Sequence, residues 1–242
     1  MKILISAYSF ETGRGSEGEN GWHTVNELAK KHEVRVITRA NLRAIHLSSF
    51  AKTPKPEGLK IEYFDLPWIF RFFKKGKRGF LIYYYLWQIG VGFRARVMLR
   101  KEPADILHHL IGSMDWMPAG LAFCSGPFIW GPVGSENTHP IILRHQPLQS
   151  RIKTTARVAV RWGLRTFDPL TRITGARANV ILTHTPDTMP KRYADRQKTF
   201  RQAGIANLPS LARPKTDFIR KSKLKIIYAG ELKDWKGAQM AL

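Results

Sequence analysis

The sequence predicts an α/β fold in which an open parallel sheet carries helices on both faces. Short apolar runs that suit buried strands alternate with longer segments whose apolar residues recur at helical spacing. The alternation repeats at least five times along residues 1–206, and strands that alternate with helices are typical of a parallel sheet joined by crossover helices. One Rossmann-like domain is therefore expected over 1–206.

The individual strands and helices are predicted from the same two patterns, short apolar runs and helical spacing. A strand is predicted at 2–8, a helix at 17–31 because Trp22, Val25, Leu28 and Ala29 share one face, and a second strand at 34–38. Further strands are predicted at 59–65, 105–109, 128–130 and 179–183, with helices at 80–100, at 118–124 and within 141–175.

The pattern changes after residue 206. Residues 207–223 are polar and contain prolines, which indicates a linker between domains. A new apolar strand at 224–229 begins another βα unit. Because one strand and part of a helix cannot bury a core, we expect 224–242 to be the truncated start of a second Rossmann-like domain.

Composition narrows the class of protein. The chain is 43% hydrophobic and 11% aromatic, which favours a globular domain over disorder. Cys124 is the single cysteine, so no intrachain disulfide can form, and a reducing compartment fits. The N-terminus lacks the pattern of a secretory signal, and the uncharged stretch 79–93 is shorter than the roughly 20 residues of a spanning helix. A cytoplasmic protein, peripheral on the inner face of the membrane, is expected.

The formal net charge of +22 calls for a polyanionic partner, an anionic membrane surface, or acidic residues missing from the sequence. Nine basic residues and no acid lie between Asp65 and Glu102, and six more lie between Glu136 and Asp168.

The aromatic and basic segment 67–101 has three interpretations besides core packing. Rings followed by cations resemble an interfacial anchor for anionic lipid. A solvated basic face is the second interpretation, and nucleic acid is the least favoured because no recognition module is present. The candidate membrane-facing residues are Trp68, Phe72, Lys74, Lys75, Lys77 and Arg78.

The glycines 13, 15 and 18 lie between the first strand and the first helix. They fit the G-x-G-x-x-G pattern of dinucleotide binding, but residues 9–12 intervene after the strand, and Arg39 stands where an acid would contact the ribose. A glycine loop at a helix N-terminus can instead approach a phosphate or a sugar hydroxyl. Gly15 and Ser16 are therefore candidate donor or phosphate ligands, with a plain turn as the alternative.

Two more candidate segments follow later strands. His108 and His109 end a predicted strand, and alternation sends their side chains to opposite faces, so one of them is expected at the substrate and the other in the core. Without a carboxylate or cysteine at ligand spacing, no metal is expected. Gly134, Ser135 and Glu136 form a candidate acceptor-side loop after the next strand, or only a turn.

These segments resemble the retaining family-4 glycosyltransferases of the two-domain GT-B fold. The resemblance is carried by Gly-Arg-Gly-Ser-Glu at 13–17, Asp-Ile-Leu-His-His at 105–109, Trp-Gly-Pro-Val-Gly at 130–134, and Tyr-Ala-Gly-Glu-Leu-Lys-Asp-Trp-Lys-Gly at 228–237. It implies the amino-terminal, acceptor-side half of a GT-B enzyme, a nucleotide-sugar donor held mainly by the other half, and no metal or other cofactor.

Within this resemblance, Lys236 matches the lysine that contacts the donor diphosphate, and Gly15 matches the loop near phosphate and acceptor. His108 and His109 are the candidate catalytic residues. The sequence departs from the family at Glu231, where arginine is usual, and at Leu110, where a His-x-His pattern would place its second histidine. The acidic donor-binding motif is absent.

The sequence thus favours a transferase that moves a sugar, with retention, to a cell-surface polysaccharide, a lipopolysaccharide or a lipid-linked glycan. The alternative is a non-catalytic basic module that docks on anionic membrane or polysaccharide, and an NAD(P)-dependent enzyme is the most remote interpretation.

Overall fold

The computed structural model describes residues 1–13, 15–76, 78–112, 114–134 and 140–200. They form an α/β fold around one all-parallel sheet of seven strands in the order β3-β2-β1-β4-β5-β6-β7. The strands are β1 (Lys2–Ala7), β2 (Glu33–Thr38), β3 (Leu59–Tyr63), β4 (Ile106–Ile111), β5 (Phe128–Val133), β6 (Val180–Thr183) and β7 (Gln197–Thr199). The predicted parallel, Rossmann-like α/β class is confirmed.

Helices connect the strands. They are α1 (Ser16–Ala29), α2 (Arg43–Lys52), α3 (Phe80–Lys101), α4 (Pro140–His145), α5 (Leu148–Phe167) and α6 (Pro169–Arg177). Short 3-10 helices lie at Ala40–Leu42, Trp68–Phe70, Gly120–Phe123 and Lys191–Arg196. Among the described helices, none combines the length and the hydropathy that crossing a bilayer requires.

Two apolar cores lie on the two faces of the sheet, as the alternation of strand side chains requires. Ile3 and Ile5 of β1 belong to a core that includes Trp22 of α1 and Leu42 next to α2. Leu4, between them in the sequence, belongs to the other core, which contains the buried face of α3. The predicted covering of both sheet faces by helices is therefore present.

The short helix predicted at 118–124 is present as the 3-10 helix Gly120–Phe123. The backbone N–H of Ala119 donates to Thr174 Oγ1 at 3.1 Å, and that of Gly120 donates to Gln88 Oε1 at 2.9 Å. Side chains from α3 and α6 thus satisfy donors that a longer helix would have used itself. A Cβ at Gly120 would also collide with the Gln88 carbonyl, so the segment is packed directly on α3.

The predicted strand at 128–130 is too short. β5 continues to Val133, with a register shift against β6 between Trp130 and Val133. At Gly131, φ is +116°, and a Cβ would strike the carbonyl oxygen of Leu182 in β6. Glycine at this position therefore serves the close approach of two strands rather than the approach of a ligand. Helix α2 and strand β7 were not predicted.

The chain divides into two compact units. Of the described residues, 140–163 belong to one unit, and all others belong to the unit that contains the sheet.

Asp168 caps α6, and its loss should cost about 1–2 kcal/mol of stability. Its carboxylate accepts from the Thr171 backbone N–H at 2.7 Å and from the Tyr85 hydroxyl at 2.7 Å, and Pro169 follows it in the first turn. We expect Asp168→Ala to lower the midpoint of urea unfolding. The matched control, Asp187→Ala in an exposed loop, should change it little, and equal effects would show that the cap is not the cause.

Candidate functional site

The carboxyl ends of β1 and β4 form the topological switch point of the sheet. β1 pairs with β2 on one side and with β4 on the other, so the connections that leave β1 and β4 run to opposite faces. Open parallel α/β sheets bind ligands in the crevice that this reversal creates. The glycine loop follows β1 and Gly134 follows β5, and β4 lies between these two strands. The prediction that His108 and His109 end their strand is wrong, because β4 continues to Ile111 and both histidines lie within it.

The glycine loop begins helix α1. Gly15 is its N-cap, with φ of +96°, and a Cβ there would meet no atom within 4 Å, as would one at Gly13. Gly18, by contrast, would place its Cβ 2.8 Å from the Glu11 carbonyl oxygen. The first two glycines thus supply the turn and an open backbone, and the third allows α1 to pack closely. Ser16 is exposed in the first turn of the helix.

Two carboxylates stand in the first turn of α1. Glu19 accepts from the Gly13 backbone N–H at 2.6 Å, and Glu17 accepts from the Gly112 backbone N–H at 3.0 Å. The second bond ties the loop after β1 to the end of β4. Because carboxylates occupy the helix end that would otherwise attract a phosphate, this part of the crevice suits hydroxyl groups, such as those of a sugar, better than a dinucleotide pyrophosphate.

His108 and His109 point to opposite faces of β4, and both are buried. His108 Nε2 lies 2.8 Å from the Gly131 carbonyl oxygen, to which it donates when that nitrogen is protonated. His109 Nε2 lies 3.4 Å from the hydroxyl of Tyr84. A Cβ at Gly112, where φ is +114°, would strike the same hydroxyl. His109, Tyr84 and Gly112 are therefore packed together directly beneath the contact between Glu17 and Gly112.

Burial lowers the pKa of both imidazoles because it disfavours the charged form. The pKa of His108 is lowered to about 4, and that of His109 to about 3, where the charge of His108 contributes as well. Hydrogen bonds with the backbone of Gly131 and Gly112 act in the opposite direction. Both rings are neutral near pH 7, so they suit hydrogen bonding and positioning rather than proton transfer, which needs a pKa near the working pH.

A second group of polar residues, which the sequence did not predict as a site, lies at the ends of β1, β2 and β3. Arg39, which follows β2, donates from Nε to the Tyr8 carbonyl oxygen at 2.6 Å, and its Nη2 lies 3.1 Å from Glu11 Oε1. Its guanidinium also lies 4.4 Å from the centre of the Tyr8 ring. Arg39 is thereby held rigidly beside the switch point.

Lys74 completes this group from the loop between β3 and α3. Its ammonium donates to the Tyr8 hydroxyl at 3.0 Å and lies 4.2 Å from the centre of the Tyr83 ring. The Tyr83 hydroxyl in turn donates to Asp65 Oδ1 at 2.6 Å, and Arg71 lies 4.0 Å from the other Asp65 oxygen. Arg39, Arg71 and Lys74, which we call the basic cluster, surround two tyrosines.

Arg39 pairs with Glu11 and Arg71 lies beside Asp65, so Lys74 is the cation of the basic cluster that favours a negatively charged or strongly polar ligand. Burial lowers the pKa of Lys74, and the neighbouring Arg39 lowers it further, whereas Asp65 opposes them. Burial also raises the pKa of Tyr8 to about 12, so its hydroxyl stays protonated. An anion beside Lys74 would relieve the repulsion between the cations, and charge that develops on a reacting group there would be stabilised.

The remaining candidates are placed as follows. Gly134 forms a parallel bridge with Met114, at the edge that holds Gly112. Trp68 and Phe72 are exposed, with their ring centres 6.3 Å apart, and Lys75 and Arg78 are exposed beside them. Lys74 differs from these four because it turns inward. The other candidates, Lys77, Ser135, Glu136 and Lys236, lie outside the described residues.

In the part of the chain that the structure describes, no group of three or more His, Cys, Asp or Glu side chains could hold a metal ion.

Sequence reasoning missed Tyr8, Arg39, Glu17 and Tyr84. A usable signal existed for two of them, since Tyr8 and Arg39 directly follow buried strands whose carboxyl ends share one edge. No pattern in the sequence pairs Lys74 with Tyr8 or Glu17 with Gly112, because these contacts join different elements.

Comparison of the sequence with models of known protein families found no match, and comparison with curated proteins found none either.

Proposed function

We propose that the chain is the acceptor-side half of a sugar transferase that moves a sugar, with retention, from a nucleotide sugar to a membrane glycan or glycolipid. The observation that carries the proposal is the meeting of a glycine loop, two carboxylates and the basic cluster at the switch point of the sheet. Carboxylates and backbone N–H groups suit sugar hydroxyls, and cations suit the phosphate of an acceptor or a donor.

The resemblance to family-4 glycosyltransferases supports the same function. It assigns the acceptor to this sheet and the donor mainly to a second domain, and it requires neither an enzyme nucleophile nor a metal. His109 and Tyr84, buried under the contact between Glu17 and Gly112, would hold the crevice in shape. The imidazoles proposed as catalytic would then act as neutral hydrogen-bonding groups.

We propose that the protein acts at the anionic inner face of the cell membrane. Trp68 and Phe72 expose their rings beside Lys75 and Arg78, an arrangement typical of interfacial anchors. The loop that carries these residues also carries Lys74, which reaches the Tyr8 hydroxyl. A lipid-linked acceptor would therefore arrive close to the basic cluster.

The test measures acceptor binding by the chain and its variants with saturation-transfer NMR. The ligands are UDP-, GDP- and ADP-sugars together with phosphorylated glycolipids in detergent micelles. We expect Lys74→Ala to weaken glycolipid binding about tenfold, since a hydrogen bond to a charged group contributes about 1.5–3 kcal/mol. Arg39→Lys keeps the charge but not the planar fork, and it should weaken binding less.

Arg172, an exposed residue of α6, gives the matched control Arg172→Ala, which should bind like the parent chain. If no sugar nucleotide or glycolipid binds, or if all variants bind alike, the transferase proposal fails. A non-catalytic basic module is the second candidate, favoured by the exposed rings and cations of 68–78. It requires salt-sensitive binding to anionic surfaces that Lys74→Ala leaves unchanged.

A further inference from the structure

Helix α5 has an unusual surface for a helix of a folded protein, because its large apolar side chains are exposed. Leu148, Ile152, Val160, Trp162 and Phe167 are each more than half exposed. Its twenty residues also include five cations, and no acid occurs between Glu136 and Asp168. The cations are Arg151, Lys153, Arg157, Arg161 and Arg165.

The exposed apolar side chains and the cations of α5 lie on opposite sides of the helix, and the half-buried Val158 and Leu164 lie among the cations. At about 100° per residue, the five exposed apolar side chains fall within one arc of about 160°. Ala156 and Ala159 lie in the same arc, and all five cations fall in the opposite one. Arg151 borders the apolar arc next to Trp162, and Lys153 borders it next to Val160; both cations are exposed.

We infer that α5 is an interfacial helix whose apolar face enters an anionic lipid bilayer while its bordering cations contact the phosphate groups. A segregated helix with aromatic and aliphatic residues on one face and Arg or Lys on the other lies in the plane of such an interface. Long cationic side chains at its borders reach the headgroups while their stems stay in apolar surroundings. Each cation near an anionic surface strengthens binding.

Charge complementarity selects the lipid over a protein partner. Arg165 pairs with the buried Asp115 at 2.9 Å, whereas Arg151 and Lys153 are exposed at the two borders of the apolar arc. A second copy packed on this arc would bring its own border cations towards Arg151 and Lys153, whereas an anionic lipid surface would complement them. The inference goes beyond the transfer reaction, and it does not depend on lipid binding by Trp68 and Phe72, which lie on a different element, the loop between β3 and α3.

The chain offers a clean site for a fluorescent probe. Cys124 is buried, its Sγ lies 3.7 Å from the Gly92 carbonyl oxygen, and burial raises the pKa of its thiol, so labelling will favour an introduced cysteine. We place the NBD fluorophore on Ile152→Cys, with Leu47→Cys on α2 as the matched exposed position. Vesicles of phosphatidylcholine, with and without phosphatidylglycerol, are the lipid surface.

We expect a blue shift and a rise of NBD emission at position 152 with phosphatidylglycerol vesicles, and none at position 47. Trp162→Asp should lower vesicle partition about tenfold or more, and so should the charge reversal Arg151→Glu with Lys153→Glu. Leu47→Asp is the control for an added charge at an exposed apolar position. We expect Trp68→Asp with Phe72→Asp to leave the probe response of the bound fraction intact, whatever its effect on partition.

Three results would overturn the inference. They are equal responses at 152 and 47, a response that depends on protein concentration without lipid, and a response to RNA but not to vesicles. The first places α5 away from the bilayer, the second assigns its apolar face to a second copy, and the third assigns its cations to nucleic acid. None of these three results concerns glycolipid binding at Lys74, so they test the inference about α5 independently of the transferase proposal.

Discussion

The folded chain should lose stability steeply as the pH falls below about 6.5, because two neutral histidines, His108 and His109, are buried in β4. Both have folded-state pKa values below the ordinary 6.5, at about 4 and about 3. Between pH 6.5 and 4, the unfolded chain binds protons that the folded chain does not. The stability contribution of the neutral imidazoles is therefore complete above pH 6.5 and decreases towards pH 4.

The size of this effect follows from proton linkage. Each histidine adds about 1.4 kcal/mol per pH unit to the slope of unfolding free energy within that window. Urea unfolding at a series of pH values measures the slope, and the difference between the parent chain and His108→Gln with His109→Gln isolates the two imidazoles from the carboxylates. His184→Gln is the control at an exposed position. Equal slopes in the parent and the double variant would refute the assignment.

Trp87→Ala should be among the most destabilising substitutions in the chain, at about 3–5 kcal/mol. The side chain is fully buried in the core between α3 and the sheet. Its indole N–H donates to the Phe64 carbonyl oxygen at 3.1 Å, and its ring meets that of Tyr8 edge-on at 5.0 Å. Alanine would remove this packing, leave a cavity and deprive the Phe64 carbonyl of its donor.

Chemical unfolding monitored by circular dichroism measures the loss of unfolding free energy. The matched control is Trp68→Ala at an exposed position, which we expect to change stability by less than about 0.5 kcal/mol. Tyr8 packs edge-on against Trp87, and its hydroxyl accepts a hydrogen bond from the Lys74 ammonium. Trp87→Phe should therefore also weaken glycolipid binding, while the chain keeps most of its stability. If Trp87→Ala and Trp68→Ala unfold at the same urea concentration, the packing described for α3 is not correct.

Within the proposed transferase, the membrane contact and the acceptor contact connect through the loop between β3 and α3. Its aromatic residues Trp68 and Phe72 point outward, and Lys74, two residues later, turns inward to Tyr8. A single loop thus joins the exposed surface to the switch point of the sheet. If that surface binds lipid, the phosphate of a lipid-linked acceptor is separated from the basic cluster only by the length of this short loop.

Local patterns in the sequence were enough to predict the parallel α/β fold. The short apolar run of β1 and the helical spacing in α1 reflect which side chains are buried, and burial is what a pattern of apolar residues records. Since parallel strands end at one edge, the sequence also placed Gly15 and Gly134 at that edge, whereas β4 continues past His109 to Ile111. The sequence did not predict the 3-10 form of the short helix at 120–123 or the extension of β5, because both depend on contacts with α3 and β6.

By itself, the sequence determined the class of sheet, the edge at which its loops gather and the two acid-free basic segments. Only the tertiary structure decided that both histidines are buried and that Lys74 turns inward to Tyr8. It also decided that Glu17 closes the β1 loop onto Gly112 and that the apolar face of α5 stays exposed. The physical reason is that periodicity reports the burial of each side chain within its own element. Hydrogen bonds and ion pairs between elements depend on how distant segments pack.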